Sequence, residues 1–210
     1  MARARGISRA QRRTLDRLSR CAGLPATYLA GGVAVAVHLG HRRSRDLELF
    51  TYVDAVSIEP FRALTAEADV ELVAATEVAV HLRLGATPVD VVRYRYPLLE
   101  PTLPGPGGWP TASLLDLATM KLAAISRRGL RRDFWDLAEI VASGIPLVRA
   151  GEAFRARFGK SEADLYHIAR SLTFFDDAER DPVLPEGMTP RRWARIRADF
   201  ESLAATLLPR

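Results

Sequence analysis

Cysteine is almost missing from this chain: Cys21 stands alone, which excludes an internal disulfide framework and any zinc site built from several thiolates. A reducing, cytoplasmic setting is the natural expectation. Long apolar runs are missing too. No window approaches the roughly 20 apolar residues of a membrane-spanning helix, and the basic stretch 1–20 lacks the apolar segment of a signal peptide. No membrane association is therefore expected. The four histidines (His38, His41, His81 and His167) show none of the close pairings of a helical or finger-type metal site. Lysine is scarce as well, with Lys121 and Lys160 set against 28 arginines.

What is present is enough for a folded core: 210 residues, 48% of them hydrophobic. The net charge of +5 rests on arginine, whose planar guanidinium suits phosphate and carboxylate groups. An anionic partner such as a nucleotide or RNA fits that charge, and so does simple coding bias.

Periodicity divides the chain. A helix is expected over 8–21, a strand over 27–30 ending at Gly31-Gly32, and a strand over 46–50, where charged and apolar residues alternate. The run Val33-Ala34-Val35-Ala36-Val37-His38-Leu39 also alternates and on local propensity reads as a strand. A helix over 58–68 and strands over 70–74, 77–84 and 89–94 follow, close enough to form hairpins in a mixed sheet. Composition changes at 97–110, where Leu-Pro-Gly-Pro-Gly-Gly-Trp-Pro sustains neither regular structure. Beyond it helices are expected over 113–128, 132–143, 150–158, 161–174 and 190–207. The division is therefore a core over 1–108 and a helical domain over 109–210, an α+β chain ending in a helical bundle.

Chemistry concentrates in a few residues. In Asp46-Leu47-Glu48-Leu49-Phe50, side chains two apart share a face, so Asp46 and Glu48 lie side by side while Leu47 and Leu49 turn inward. Adjacent carboxylates repel, and a divalent cation relieves the repulsion. Asp90, in a second strand, supplies a third acid if the two strands are neighbours. Three carboxylates can hold one or two magnesium ions for phosphoryl transfer from a nucleotide. Gly31 and Gly32 permit close backbone approach and free N–H groups for phosphate, and Ser44 adds a hydroxyl just before the acids. The competing reading is a solvated strand face and an ordinary turn.

In the helical half, Lys121 has the compact ammonium that suits a triphosphate. Asp133 and Asp136 lie three apart on one helix face, and Asp136 with Arg132 also reads as a surface ion pair.

Together, Ala30-Gly31-Gly32-Val33-Ala34, Leu39 through Phe50, Met120-Lys121-Leu122 and Arg132-Asp133-Phe134-Trp135-Asp136-Leu137 resemble the AbiEii/AbiGii-type nucleotidyltransferase toxin family in order and spacing. The resemblance implies a polymerase-beta-like nucleotidyltransferase core, its mixed sheet flanked by helices, followed by the helical bundle. It implies a helix starting at the glycines, against the local propensity of the valine run. It also implies Asp46, Glu48 and Asp90 as ligands of Mg2+ (or Mn2+), Gly31 and Gly32 at the phosphate corner, and Lys121 and Asp133 at the nucleotide. The commoner second acid in the family is aspartate, where this chain has Glu48.

The expected activity is transfer of NMP from an NTP donor to a hydroxyl acceptor on RNA such as tRNA, or on protein. The expected role is the toxin of a toxin–antitoxin or abortive-infection pair, with a cognate antitoxin as partner. Arg155, Arg157, Arg191, Arg192, Arg195 and Arg197 favour an RNA acceptor. Two alternatives stay open: a small-molecule, antibiotic-type nucleotidyltransferase, and a catalytically silent binding protein of the same fold, which Glu48 keeps in play.

Overall fold

The computed structural model describes residues 6–208; residues 1–5, the start of the basic stretch, and 209–210 lie outside the described residues. The chain folds as two compact units, one of Met1–Pro97 with Pro101–Ala112 and one of Leu98–Glu100 with Ser113–Arg210.

In the first unit, α1 (Arg9–Leu18) opens with a capping box between Ser8 and Gln11, which satisfies two of the N–H groups that a helix start leaves unpaired. Leu15 and Leu18 are fully buried from it. The Gln11 amide also donates to the carbonyls of Ser44 (2.9 Å) and Arg45 (3.2 Å), fixing the loop that leads into the acids. β1 (Thr27–Leu29) runs directly into α2 (Gly31–Leu39), followed by β2 (Leu47–Thr51). A short 3-10 turn (Glu59–Phe61) and α3 (Arg62–Thr65) replace the single helix expected over 58–68. β3 (Val70–Ala75), β4 (Ala79–Leu84) and β5 (Thr87–Arg93) form an antiparallel meander.

The valine run is therefore helical, and its period-two pattern misleads. α2 is buried on nearly every side from Gly32 to Ala36. A wholly buried helix shows no amphipathic period, so its β-branched residues read locally as a strand.

The stretch 97–110, expected to hold no regular structure, contributes two two-residue strands, β6 (Leu103–Pro104) and β7 (Pro110–Thr111), around a 3-10 turn. The resulting seven-stranded mixed sheet has the order β3-β4-β5-β2-β1-β7-β6. β2 and β5 are parallel, as are β1 and β7; the other pairings are antiparallel. The Trp109 indole N–H donates to the Leu15 carbonyl at 3.2 Å, and a ring nitrogen of His38 lies 2.8 Å from the Ala112 carbonyl. Both anchor this segment within its unit.

The second unit is helical: α4 (Leu114–Arg128), α5 (Arg131–Ala142), α6 (Leu147–Phe158), α7 (Glu162–Leu172), a short α8 (Asp176–Arg180) and α9 (Pro190–Leu203). Its core gathers Phe134, Phe175, Trp193 and Phe200, with ring centroids 5.3–5.7 Å apart in tilted or edge-on contacts. Asp116, fully buried, accepts from the backbone N–H groups of Leu99 and Glu100 and pairs with Arg157 at 3.0 Å. Among the described residues, no helix is long and apolar enough to cross a membrane.

Candidate active site

Strand register assembles the acids. On β2 the burial alternates, with Leu47, Leu49 and Thr51 inside and Glu48 and Phe50 half-buried on the other face. Asp46 is half-buried immediately before the strand. Because β2 and β5 run parallel, Glu48 is the register partner of Asp90. In the next pairing Asp90 faces His81. One row across the sheet therefore reads Glu48, Asp90, His81.

The side chains have specific partners. A Glu48 carboxylate oxygen accepts from the Gly32 backbone N–H at 2.9 Å, and the Glu48 carbonyl accepts from Ala30 N–H at 3.0 Å. Ala30 offers no side-chain cap to α2, so the acid supplies one, its charge set against the positive end of the helix. Gly31 is needed twice over here. Its φ is +60°, and a Cβ added to it would lie 1.6 Å from a Glu48 carboxylate oxygen. The N–H that holds an anion at this helix start is that of Gly32, and the anion is the Glu48 carboxylate. An aspartate, one methylene shorter, would not reach as far.

Asp90 is 2.6 Å from His81 Nδ1, with both side chains partly exposed. His81 was not singled out from sequence, although the signal was there. The turn at Gly85-Ala86 pairs Leu84 with Thr87, and counting outward along the two strands brings His81 opposite Asp90. Ser44 is half-buried, two residues before Asp46.

Carboxylate oxygens are the donors that a hard divalent cation takes; the strand register places Glu48 and Asp90 side by side, and Asp46 lies at a bend just before β2. In kind the residues fit such an ion. The side chains do not converge on one point as expected from sequence: Glu48 turns to Gly32 and Asp90 to His81. Among the described residues, no three His, Cys, Asp or Glu side chains are grouped as a metal site.

The helical unit holds the other predicted residues. Lys121 is buried on α4, and its ammonium lies 2.8 Å from both Asp133 and Asp136 of α5. Arg128 adds a contact to Asp133 at 3.1 Å. Asp136 is fully buried and faces Lys121, which corrects the expectation of a surface pair with Arg132. Burial works to raise the Asp133 pKa, but Lys121 and Arg128 outweigh it and hold the carboxyl below its ordinary value. Two buried acids thus share the buried Lys121 ammonium, with the half-exposed Arg128 guanidinium beside Asp133.

The arginines expected to favour RNA are largely engaged. Arg157 is buried against Asp116. Arg197 pairs with Glu179, and Arg192 stacks 4.8 Å from the Trp135 ring. Arg155 and Arg195 have acidic neighbours at 3.9 Å. Arg191 is exposed.

The mixed sheet with helices is that of nucleotidyltransferase-fold proteins. It resembles MenT4, the nucleotidyltransferase toxin Rv2826c from Mycobacterium tuberculosis H37Rv, at a TM-score of 0.52 and 18% identity, covering 95% of this chain and 91% of that one. It resembles the antibiotic-resistance factor ANT(2'')-Ia at a TM-score of 0.54 and 16% identity, covering 77% and 97%. Residues 60–208 match the family described as "Nucleotidyl transferase AbiEii toxin, Type IV TA system", and the chain belongs to that family. An uncharacterized protein of Aquifex aeolicus (strain VF5) is 28% identical over 186 residues, 84% of this chain and 87% of that one. The Gly31-Gly32 and Asp46-Glu48 segment precedes the residues matched to the family.

Proposed function

We propose that this nucleotidyltransferase moves an NMP group from an NTP to a hydroxyl acceptor, with RNA such as tRNA as the leading acceptor class and protein as the second. The observation that carries the reading is the row on the sheet: Glu48 and Asp90 as partners on parallel strands, Asp46 two residues upstream, and the Gly31-Gly32 helix start alongside. Asp46, Glu48 and Asp90 would hold a magnesium or manganese ion, which supplies charge neutralisation at the triphosphate and a lowered pKa for the attacking hydroxyl. The α2 N–H groups suit the phosphates, with Ser44 nearby in sequence. Lys121 is assigned to the nucleotide and Asp133 to holding its ammonium in place; contact requires the lysine to exchange a carboxylate for phosphate.

A second reading, a catalytically silent binding protein, draws on one observation: the Glu48 carboxylate already sits on the N–H group that a phosphate would take. One assay separates the two. The protein is incubated with magnesium or manganese, each labelled NTP in turn and total RNA, beside Asp46→Ala. Label transferred by the wild type and lost in the variant supports the enzyme; equal label with both, or none with either, overturns it under those conditions. Protein and aminoglycoside acceptors in parallel tubes test the remaining acceptor classes.

The proposed cellular role is a cytoplasmic toxin restrained by a cognate antitoxin. Induced expression should arrest growth with the wild type and not with Asp46→Ala. Co-expression of a neighbouring small reading frame should restore growth.

A further inference from the structure

The acid face of the sheet continues into aromatic side chains. Glu48 is followed two residues on by Phe50, and Asp90 four residues on by Tyr94, so both aromatics extend the acids' own face toward the C-terminal ends of β2 and β5. The rings form an unbroken series. Tyr52 lies 5.6 Å from Tyr28, Tyr28 lies 6.1 Å from Phe50, Phe50 lies 4.9 Å from Tyr94, and Tyr94 lies 5.5 Å from Tyr96.

Within the series Tyr28 is buried and Phe50, at the centre, half-buried, while the end members Tyr52 and Tyr96 keep 46% and 40% of their surface in solvent. Both lie just past the ends of their strands. A cation lies within the series: exposed Arg95 sits between Tyr94 and Tyr96 in Val-Val-Arg-Tyr-Arg-Tyr, and exposed Arg43 and Arg45 come before the acids in the chain, at the other end of β2. Aromatic rings interleaved with arginine beside a phosphoryl-transfer face match a single nucleic-acid strand, whose bases stack and whose phosphates pair with cations. A duplex keeps its bases stacked inside and has little use for such rings.

We propose that the Tyr52–Tyr28–Phe50–Tyr94–Tyr96 series is the docking surface for a single-stranded RNA end, holding it beside the acids. The inference rests on the transferase reading for its purpose and on the rings for its place. Tyr52 and Tyr96 provide the stacking faces, and Phe50 and Tyr94 hold them in line.

The test is fluorescence anisotropy with a short labelled single-stranded RNA, its duplex, and single-stranded DNA of the same sequence, without NTP. Tyr52→Ala and Tyr96→Ala should each weaken single-stranded RNA binding roughly tenfold. Tyr52→Phe and Tyr96→Phe should bind like the wild type, with thermal midpoints showing that all four variants fold. The dependence on salt should keep its slope in the alanine variants, because the arginines remain. Unchanged affinity in folded alanine variants overturns the proposal. So does a duplex bound as tightly as the single strand, DNA bound more tightly than RNA, or a rise in the KM for NTP with no change in RNA affinity. If no NTP is consumed by the wild type while the rings still govern RNA binding, the transferase reading fails and the docking surface stands. If labelled RNA is produced at the normal rate by the alanine pair, the docking surface fails and the transferase reading stands.

Discussion

Single residues set the sharpest expectations. Lys121 pairs with two fully buried acids, so Lys121→Met takes the ammonium away from both Asp133 and Asp136. A loss of about 3–5 kcal/mol is expected, read as a lower urea midpoint. The acid limb of stability should carry the Asp133 signature. Its folded pKa lies below the ordinary value near ~3.9, so on acidification the unfolded chain takes up the proton first. That stabilisation is complete above the unfolded value and disappears as pH falls through the folded one. Urea midpoints should drop below about pH 4, and Asp133→Asn should flatten that limb while lowering the plateau. At Gly31, alanine meets a left-handed backbone and the Glu48 carboxylate together. About 1–2 kcal/mol of strain is expected, with NMP transfer falling further than stability because Glu48 is displaced. The inward turn of Leu47 and Leu49, with Glu48 on the opposite face, was legible from their alternation alone. The burial of Asp136 was not, because its partner Lys121 comes from another helix and nothing local to Asp136 announces it.

Among the elements, α2 is the instructive one. Its valines and alanines favour an extended chain locally, and nine residues are too few to be helical without support. A peptide spanning 30–40 should show no helical circular dichroism in water. Glu48→Ala in the whole protein should cost about 1 kcal/mol by removing the helix cap, seen in the thermal midpoint. Helix α2 was legible only through the resemblance to a family, since burial on all sides erases the period that marks a helix. The longer helices α4 and α5 were legible directly: each has a polar side, and Gly129 and Gly144 mark where they stop. β6 and β7, two residues each, are too short for any pattern to register, and they exist because β1 leaves an edge for β7 to pair with.

Across the whole molecule, the sequence announced an α+β chain with a helical second half, and that is the architecture found. The order of the strands was not available to it, because parallel partners are joined by contacts far apart in the chain. Leu47 pairs with Val89, and Leu29 with Thr111. Pairings of this span form slowly, since a long loop must close before any contact offsets its lost freedom. Synthesis runs from the N-terminus, so α2 and the acids leave the ribosome well before the residues that complete their sheet. A nascent chain ending at residue 100 should resist proteolysis poorly beside one ending at 112, which carries the Trp109 and Ala112 anchors. The toxin proposed here would then stay harmless on the ribosome until its sheet had been closed by residues 103–112, giving an antitoxin a head start.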